Sequence, residues 1–192
     1  MDRGKLNMQD ILIPSETFPD QFNESMESMF DYWLEKCPDG ASGSLPKFAD
    51  FDLMDLYKIA DHLLVCDVIR QGDDSIVYRW RFWGSELSYY FGVELSGKFI
   101  NDINTPETAQ QINASYNWVV ENQKPHYWLR RGGLASDNQE HLAYERLICP
   151  VLGQFDKIDY LFGIITFERG ETQSRVKTKN SDANRVTIAN VE

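Results

Sequence analysis

"VYRWRFWGSELSYYFGVELSGKFINDI", residues 77–103, decides how this chain is read. It opens as a strand, because side chains alternate across a strand with a period of two. That alternation sets Val77, Arg79, Arg81 and Trp83 on one face and Tyr78, Trp80 and Phe82 on the other. At Gly84-Ser85 the period changes. Leu87, Tyr90 and Phe91 fall on one side of a short helix, with Ser85 a suitable N-cap and Gly92 a suitable left-handed terminator. Residues 93–103 continue as a turn and a further short helical piece that buries Leu95, Phe99 and Ile103.

Working upstream, "HLLVCDVIR" (62–70) is a second strand, joined to the first through Gln71–Ser75 as a hairpin. Neither strand has a polar side, which is the pattern of strands covered on both faces. Before them, Phe22, Met26, Met29, Phe30, Trp33, Leu34 and Cys37 recur at spacings of three and four, an amphipathic helix stopped by Pro38-Asp39-Gly40. "GASGSLP" is a loop, and residues 48–59 read as a short helix from Asp52. Downstream, Thr105-Pro106 opens a longer helix whose buried stripe is Ala109, Ile112, Tyr116 and Val119, with Trp118 on its flank. Three more strands follow: "PHYWLRR" (125–131), "HLAYERLIC" (141–149, ending before Pro150) and "DYLFGIITFE" (159–168).

The order is therefore helix, two strands, helices, three strands. It predicts an α+β fold: a five-stranded antiparallel sheet with the inserted helices on one face and the N-terminal helix covering the other. Residues 1–19 read as an arm, 20–168 as one domain, and 169–192 as a polar, aperiodic, disordered tail.

A chain of 192 residues suits one domain with a full core. Its net charge of −11 argues against attraction to nucleic acid or to anionic membrane. No window approaches the ~20 apolar residues of a membrane span, and the N-terminus lacks the apolar run of a signal peptide. Cys37, Cys66 and Cys149 are odd in number and far apart, so no disulfide framework is expected and a cytoplasmic location is. Histidines and cysteines do not fall at metal-ligand spacings, and there is no P-loop, dinucleotide-binding glycine pattern or nucleophile elbow.

The combination of "YRWRFWGSEL", "FGVELSGKFINDI", the helix running to "VVENQKP", and "AYERLICP" followed by "DYLFGIITF" resembles the PAS domain. The resemblance spans residues 28–168 and is to bacterial proteins in which one such domain makes up most of the chain. It implies a sensory or interaction module rather than an enzyme, with any small organic ligand seated between sheet and helices. No kinase, cyclase or helix-turn-helix pattern accompanies it, so signalling would run in trans through a partner protein. The cofactor is left unknown. Haem-binding PAS domains supply an axial histidine from the helical segment, and residues 84–123 contain none, so haem is disfavoured. The light-sensing flavin pattern "GxNCRFLQ" is absent, and no cysteine lies between 67 and 148, so flavin is disfavoured too.

Under this resemblance the candidate ligand-lining residues are Arg81, Phe82, Tyr90, Phe99, Trp118, His126, Trp128, Tyr144 and Arg146. Arg81 has the planar fork suited to a carboxylate or phosphate. An ion pair with Asp67 or Glu145, or stacking on Trp83, explains it as well. Tyr144 with Arg146, and His126 with Trp128, share strand faces and could wall one cavity with Trp118; plain core packing is the competing account. Phe22, Met26, Met29 and Trp33 form a heptad-like stripe on the first helix. PAS domains dimerise through such a helix, so a homodimer is expected, although the stripe could equally seal its own sheet. Two other readings stay open. One is a ligand-free interaction module. The other is an enzyme on a cone-like α+β fold, for which Asp67, set among apolar residues, is the one candidate; the element order fits that fold poorly.

Overall fold

The junction at Gly84 fixes one half of the fold. The computed structural model describes residues 22–38, 44–72, 75–130 and 144–167. In it the expected hairpin is β1, Leu63–Arg70, and β2, Ile76–Trp83. β2 ends where Gly84 N–H donates to the Leu63 carbonyl at 2.9 Å. A side chain at Gly84 would overlap the Asp61 carbonyl, so the chain has to leave the sheet here through a residue without Cβ. Gly84 is itself the extended cap of the first inserted helix, and Ser85 is its first helical residue rather than its N-cap.

The helices in chain order are α1 (Glu24–Glu35), α2 (Ser85–Phe91), α3 (Ile100–Ile103) and α4 (Pro106–Asn122). Asn23 caps α1 by accepting from Met26 N–H, Thr105 caps α4 by accepting from Thr108 N–H, and Gly92 closes α2 at φ 70°. The segment after the N-terminal loop forms short 3₁₀ turns at Phe48–Asp50, Leu53–Leu56 and Ala60–His62 instead of one helix, the second capped by Asp52. Tyr32 OH donates to the Asp52 carbonyl and accepts from Asp52 N–H, which ties α1 to these turns.

The remaining strands are β3 (His126–Arg130), β4 (Tyr144–Leu152) and β5 (Ile158–Phe167). The sheet order is β2-β1-β5-β4-β3, antiparallel throughout. β4 runs on through Pro150 instead of stopping before it. Its pairing with β3 ends at Ile148, so on that side the missing N–H of Pro150 is not needed. The Pro150 carbonyl instead accepts from Trp33 Nε1–H at 3.0 Å.

Both faces of the sheet are covered over most of their extent, which explains why the strands are largely apolar on both sides, with Asp67, Arg79 and Arg81 an exception on the outer face. On the inner face Leu64, Cys66, Tyr78, Trp80, Trp83, Ile148 and Leu161 pack with Leu87, Ile100, Tyr116 and Val119 of the helices. On the outer face Leu63, Val65, Leu147, Cys149, Phe162 and Ile164 pack with Met26, Met29 and Trp33 of α1. Strict alternation in β2 is broken. Val65 pairs with Phe82 and Cys66 with Trp80, leaving Arg81 as an extra residue. This bulge turns Phe82 outward and Trp83 inward, the reverse of the expected faces. Among the described side chains of the segment before α4, Leu95 and Ile100 are buried and Phe99 is half-buried at the β2 edge beside Arg79; the side chain of Ile103 lies outside those described. The arm (1–19), the tail (169–192), His141 and the loop before it lie outside the described residues.

Candidate functional site

Polar and aromatic groups gather on the inner face where α4 crosses β3 and β4. His126 opposes Ile148 and Trp128 opposes Arg146 across the β3–β4 ladder, so alternation brings His126, Trp128 and Arg146 to one face, together with Tyr144. α4 supplies Ser115, Tyr116 and Trp118 from above.

Arg146 is only 3% exposed. Its Nη2–H donates to Ser115 Oγ at 2.7 Å, and Ser115 Oγ–H in turn donates to the Ile112 carbonyl at 2.8 Å. The guanidinium carbon lies 4.3 Å from the Trp128 ring centre and 5.1 Å from that of Tyr116. A buried cation needs such compensation, and stacking on aromatic faces supplies part of it.

His126 is fully buried, with the Trp118 ring 5.6 Å away. Neither of its ring nitrogens has a hydrogen-bond partner among the described residues. Burial, then the charge on Arg146, pushes its pKa down to about 3, so the imidazole is neutral at pH 7. A neutral imidazole offers one donor and one acceptor, and leaving both unused in the interior is unfavourable. The same burial raises the pKa of the Tyr116 hydroxyl and of the Cys66 thiol, so both stay protonated. The region thus holds one cation, one neutral donor–acceptor ring and aromatic walls.

Five of the nine candidates (Trp118, His126, Trp128, Tyr144 and Arg146) share this face. Tyr90 stacks on Phe167 at 3.9 Å, and Phe167 also contacts Tyr144, so Tyr90 belongs to an adjoining ring cluster. Phe99, Arg81 and Phe82 do not join them. Phe99 lies under Arg79 at the β2 edge, Arg81 shares the outer face with Arg79 by plain alternation from the inward Trp80, and the bulge turns Phe82 to that face as well. There Asp67, 5% exposed, accepts from Arg79 Nε (3.0 Å) and Nη2 (2.7 Å) on Oδ2, and from Arg81 Nε (2.6 Å) on Oδ1. The Arg81 guanidinium also lies 5.3 Å from the Tyr160 ring. Asp67, the candidate of the enzyme reading, is therefore engaged by two guanidiniums. Glu145, the other carboxylate considered for Arg81, accepts instead from Tyr127 OH and Asn23 Nδ2.

Ser115, which accepts from Arg146, is a residue of this candidate face that sequence reading missed. Its signal was a serine three places after Ile112 on an otherwise apolar stripe. A groove also opens between α3 and α4, lined by Asn101, Asn104, Gln110, Asn113 and Asn117 with Pro106 and Ala109; none of the nine candidates lines it. Of the helix stripe, Met26 and Met29 are fully buried and Trp33 nearly so, all against the domain's own sheet, which leaves those three no surface for a second copy; Phe22 is half-buried beside Tyr127. Among the described residues no group of three or more His, Cys, Asp or Glu could hold a metal ion, and no helix is long and apolar enough to cross a membrane.

The sheet order, the helical insertion and the matched sequence pattern converge. The chain belongs to the PAS domain family, whose sequence model matches residues 21–166. PAS domains are in general sensory or signalling modules. The chain is similar in structure to the PAS domain of Bordetella pertussis BvgS, at 16% identity and a TM-score of 0.46 over 62% of this chain and 85% of that one. It is also similar to a PAS domain from Colwellia psychrerythraea, at 18% identity and a TM-score of 0.40 over 60% and 96%. A light-oxygen-voltage domain studied with a flavin analogue is similar at 12% identity and a TM-score of 0.43 over 67% and 93%. No curated protein matches the chain.

Proposed function

We propose that this PAS domain is a sensor that binds a small, planar organic molecule between β3, β4 and α4, and signals to a partner protein in trans. The observation that carries the reading is His126: a fully buried ring, neutral at pH 7, with both nitrogens unpartnered among the described residues. A ligand with one acceptor and one donor would satisfy it; Trp118 offers an aromatic surface beside it, and on the same inner face Trp128 and Tyr116 hold the Arg146 guanidinium. The same strand offers a route outward. Tyr127, between His126 and Trp128, points to the other face, where its ring lies 6.0 Å from Phe22 and its hydroxyl donates to Glu145. Glu145 also accepts from Asn23, the cap of α1. A ligand that binds one position of β3 better than another would shift α1 by that difference in affinity.

Native mass spectrometry of the chain as purified, compared with its denatured mass, tests the reading. Extra mass per subunit that is lost in His126→Phe, with the variant still folded, is the expected result. A bare native mass, with no thermal shift on screening planar heterocyclic compounds, overturns it and leaves the ligand-free interaction module.

A further inference from the structure

The outer end of the sheet carries a second, unrelated feature. Asp67 takes three hydrogen bonds from two arginines, although one guanidinium would neutralise it. The cluster therefore keeps one positive charge more than it needs, in a chain of net charge −11. Both guanidiniums are fixed, Arg79 against Phe99 and Arg81 against Tyr160, so little further entropy is lost when they are bound. The two arginine side chains remain 41% and 47% exposed. The bonds to Asp67 use Nε of both residues and Nη2 of Arg79, so Nη1 of Arg79 and both Nη groups of Arg81 make no hydrogen bond among the described residues. Lys98 stands at the same edge, its carbonyl accepting from Trp80 N–H at 3.0 Å, and Gly97 N–H donates to the Trp80 carbonyl. That backbone pairing occupies the edge of β2 at Trp80, so the open side of the cluster is the sheet face.

We infer that this face is a docking surface for an acidic segment of a partner protein, with a carboxylate side chain seated on the outward Nη groups of Arg79 and Arg81. Two fixed forks side by side match a planar carboxylate, and the excess charge is opposite to it. The site is independent of the interior ligand region, because it lies on the other face of the sheet.

The test uses the full chain and the arginine Nε–Hε resonances, which the bonds to Asp67 make reporters of both residues. Titration with a hexaglutamate peptide is expected to shift the Arg79 and Arg81 signals saturably. The double variant Arg79→Lys with Arg81→Lys keeps the charge and loses the forks, and is expected to bind the peptide at least about tenfold more weakly. The wild-type titration stands without that variant should it fold poorly. Absence of a saturable shift overturns the inference. So does equal affinity in a folded double-lysine variant, which would mean diffuse attraction, or inorganic phosphate binding as tightly as the peptide, which would mean a free-anion site.

Discussion

Acid should unfold this domain partly through one residue, and the size of the effect follows from where that residue sits. His126 ordinarily titrates near 6.5 and in the folded chain is held down to about 3 by burial and by Arg146. Above pH 6.5 both folded and unfolded chains carry a neutral ring, and the full stability is present. Between 6.5 and about 3 the unfolded chain takes up a proton that the folded chain refuses, so stability falls as pH falls, by about 1.4 kcal/mol per pH unit. From pH 6.5 to 4.5 that amounts to roughly 2–3 kcal/mol. Carboxylates add to acid lability, so the comparison has to be with His126→Phe, which fills the same space beside Trp118 without a titrating nitrogen. Urea unfolding followed by tryptophan fluorescence at pH 7 and 4.5 gives both stabilities. The wild type is expected to lose roughly 2–3 kcal/mol more than the variant. Equal losses would refute the reasoning and mean that His126 is protonated or hydrated in the folded chain.

Gly84→Ala drives a methyl group into the Asp61 carbonyl and should cost about 1–3 kcal/mol or more in urea unfolding, since backbone on both sides must move. Met29→Glu with Trp33→Glu should unfold the domain by circular dichroism rather than yield a folded monomer, because both side chains are buried against their own sheet. Trp33→Phe removes the bond to the Pro150 carbonyl and should lower stability by about 1–2 kcal/mol while the inner face, and any ligand bound there, is undisturbed.

Much of the fold was legible because the two periods are clean. Val119 and Tyr116 lie on the buried side of α4 as their spacing required, and β1 is buried along six consecutive residues as its unbroken apolar run implied. The failures have specific causes. A bulge cannot be read from alternation, since an inserted residue looks like any other; Phe82 and Trp83 were assigned to the wrong faces for that reason alone. Pro150 read as a strand end because it has no N–H; the strand runs through it because pairing with β3 stops two residues earlier, a tertiary fact with no local signature. That His126, Trp128, Tyr144 and Arg146 share one face was legible because β3 and β4 pair in regular register. For Arg81 the sequence offered a ligand role and an ion pair with Asp67 or Glu145; the structure shows the pair with Asp67, a choice between two carboxylates that depends on strand register. The double engagement of Asp67 was visible only once β1 and β2 were in register.

The bulge in β2 has a consequence for how this chain can change. Arg81 is the supernumerary residue, and the inward positions on either side of it, Trp80 and Trp83, keep their places with or without it. A strand that dropped Arg81 would alternate regularly and bury the same residues. The second arginine of the outer cluster is thus an insertion that the interior does not register. The surface chemistry of this edge can be gained, lost or retuned in one step, while the core that holds the sheet stays in phase.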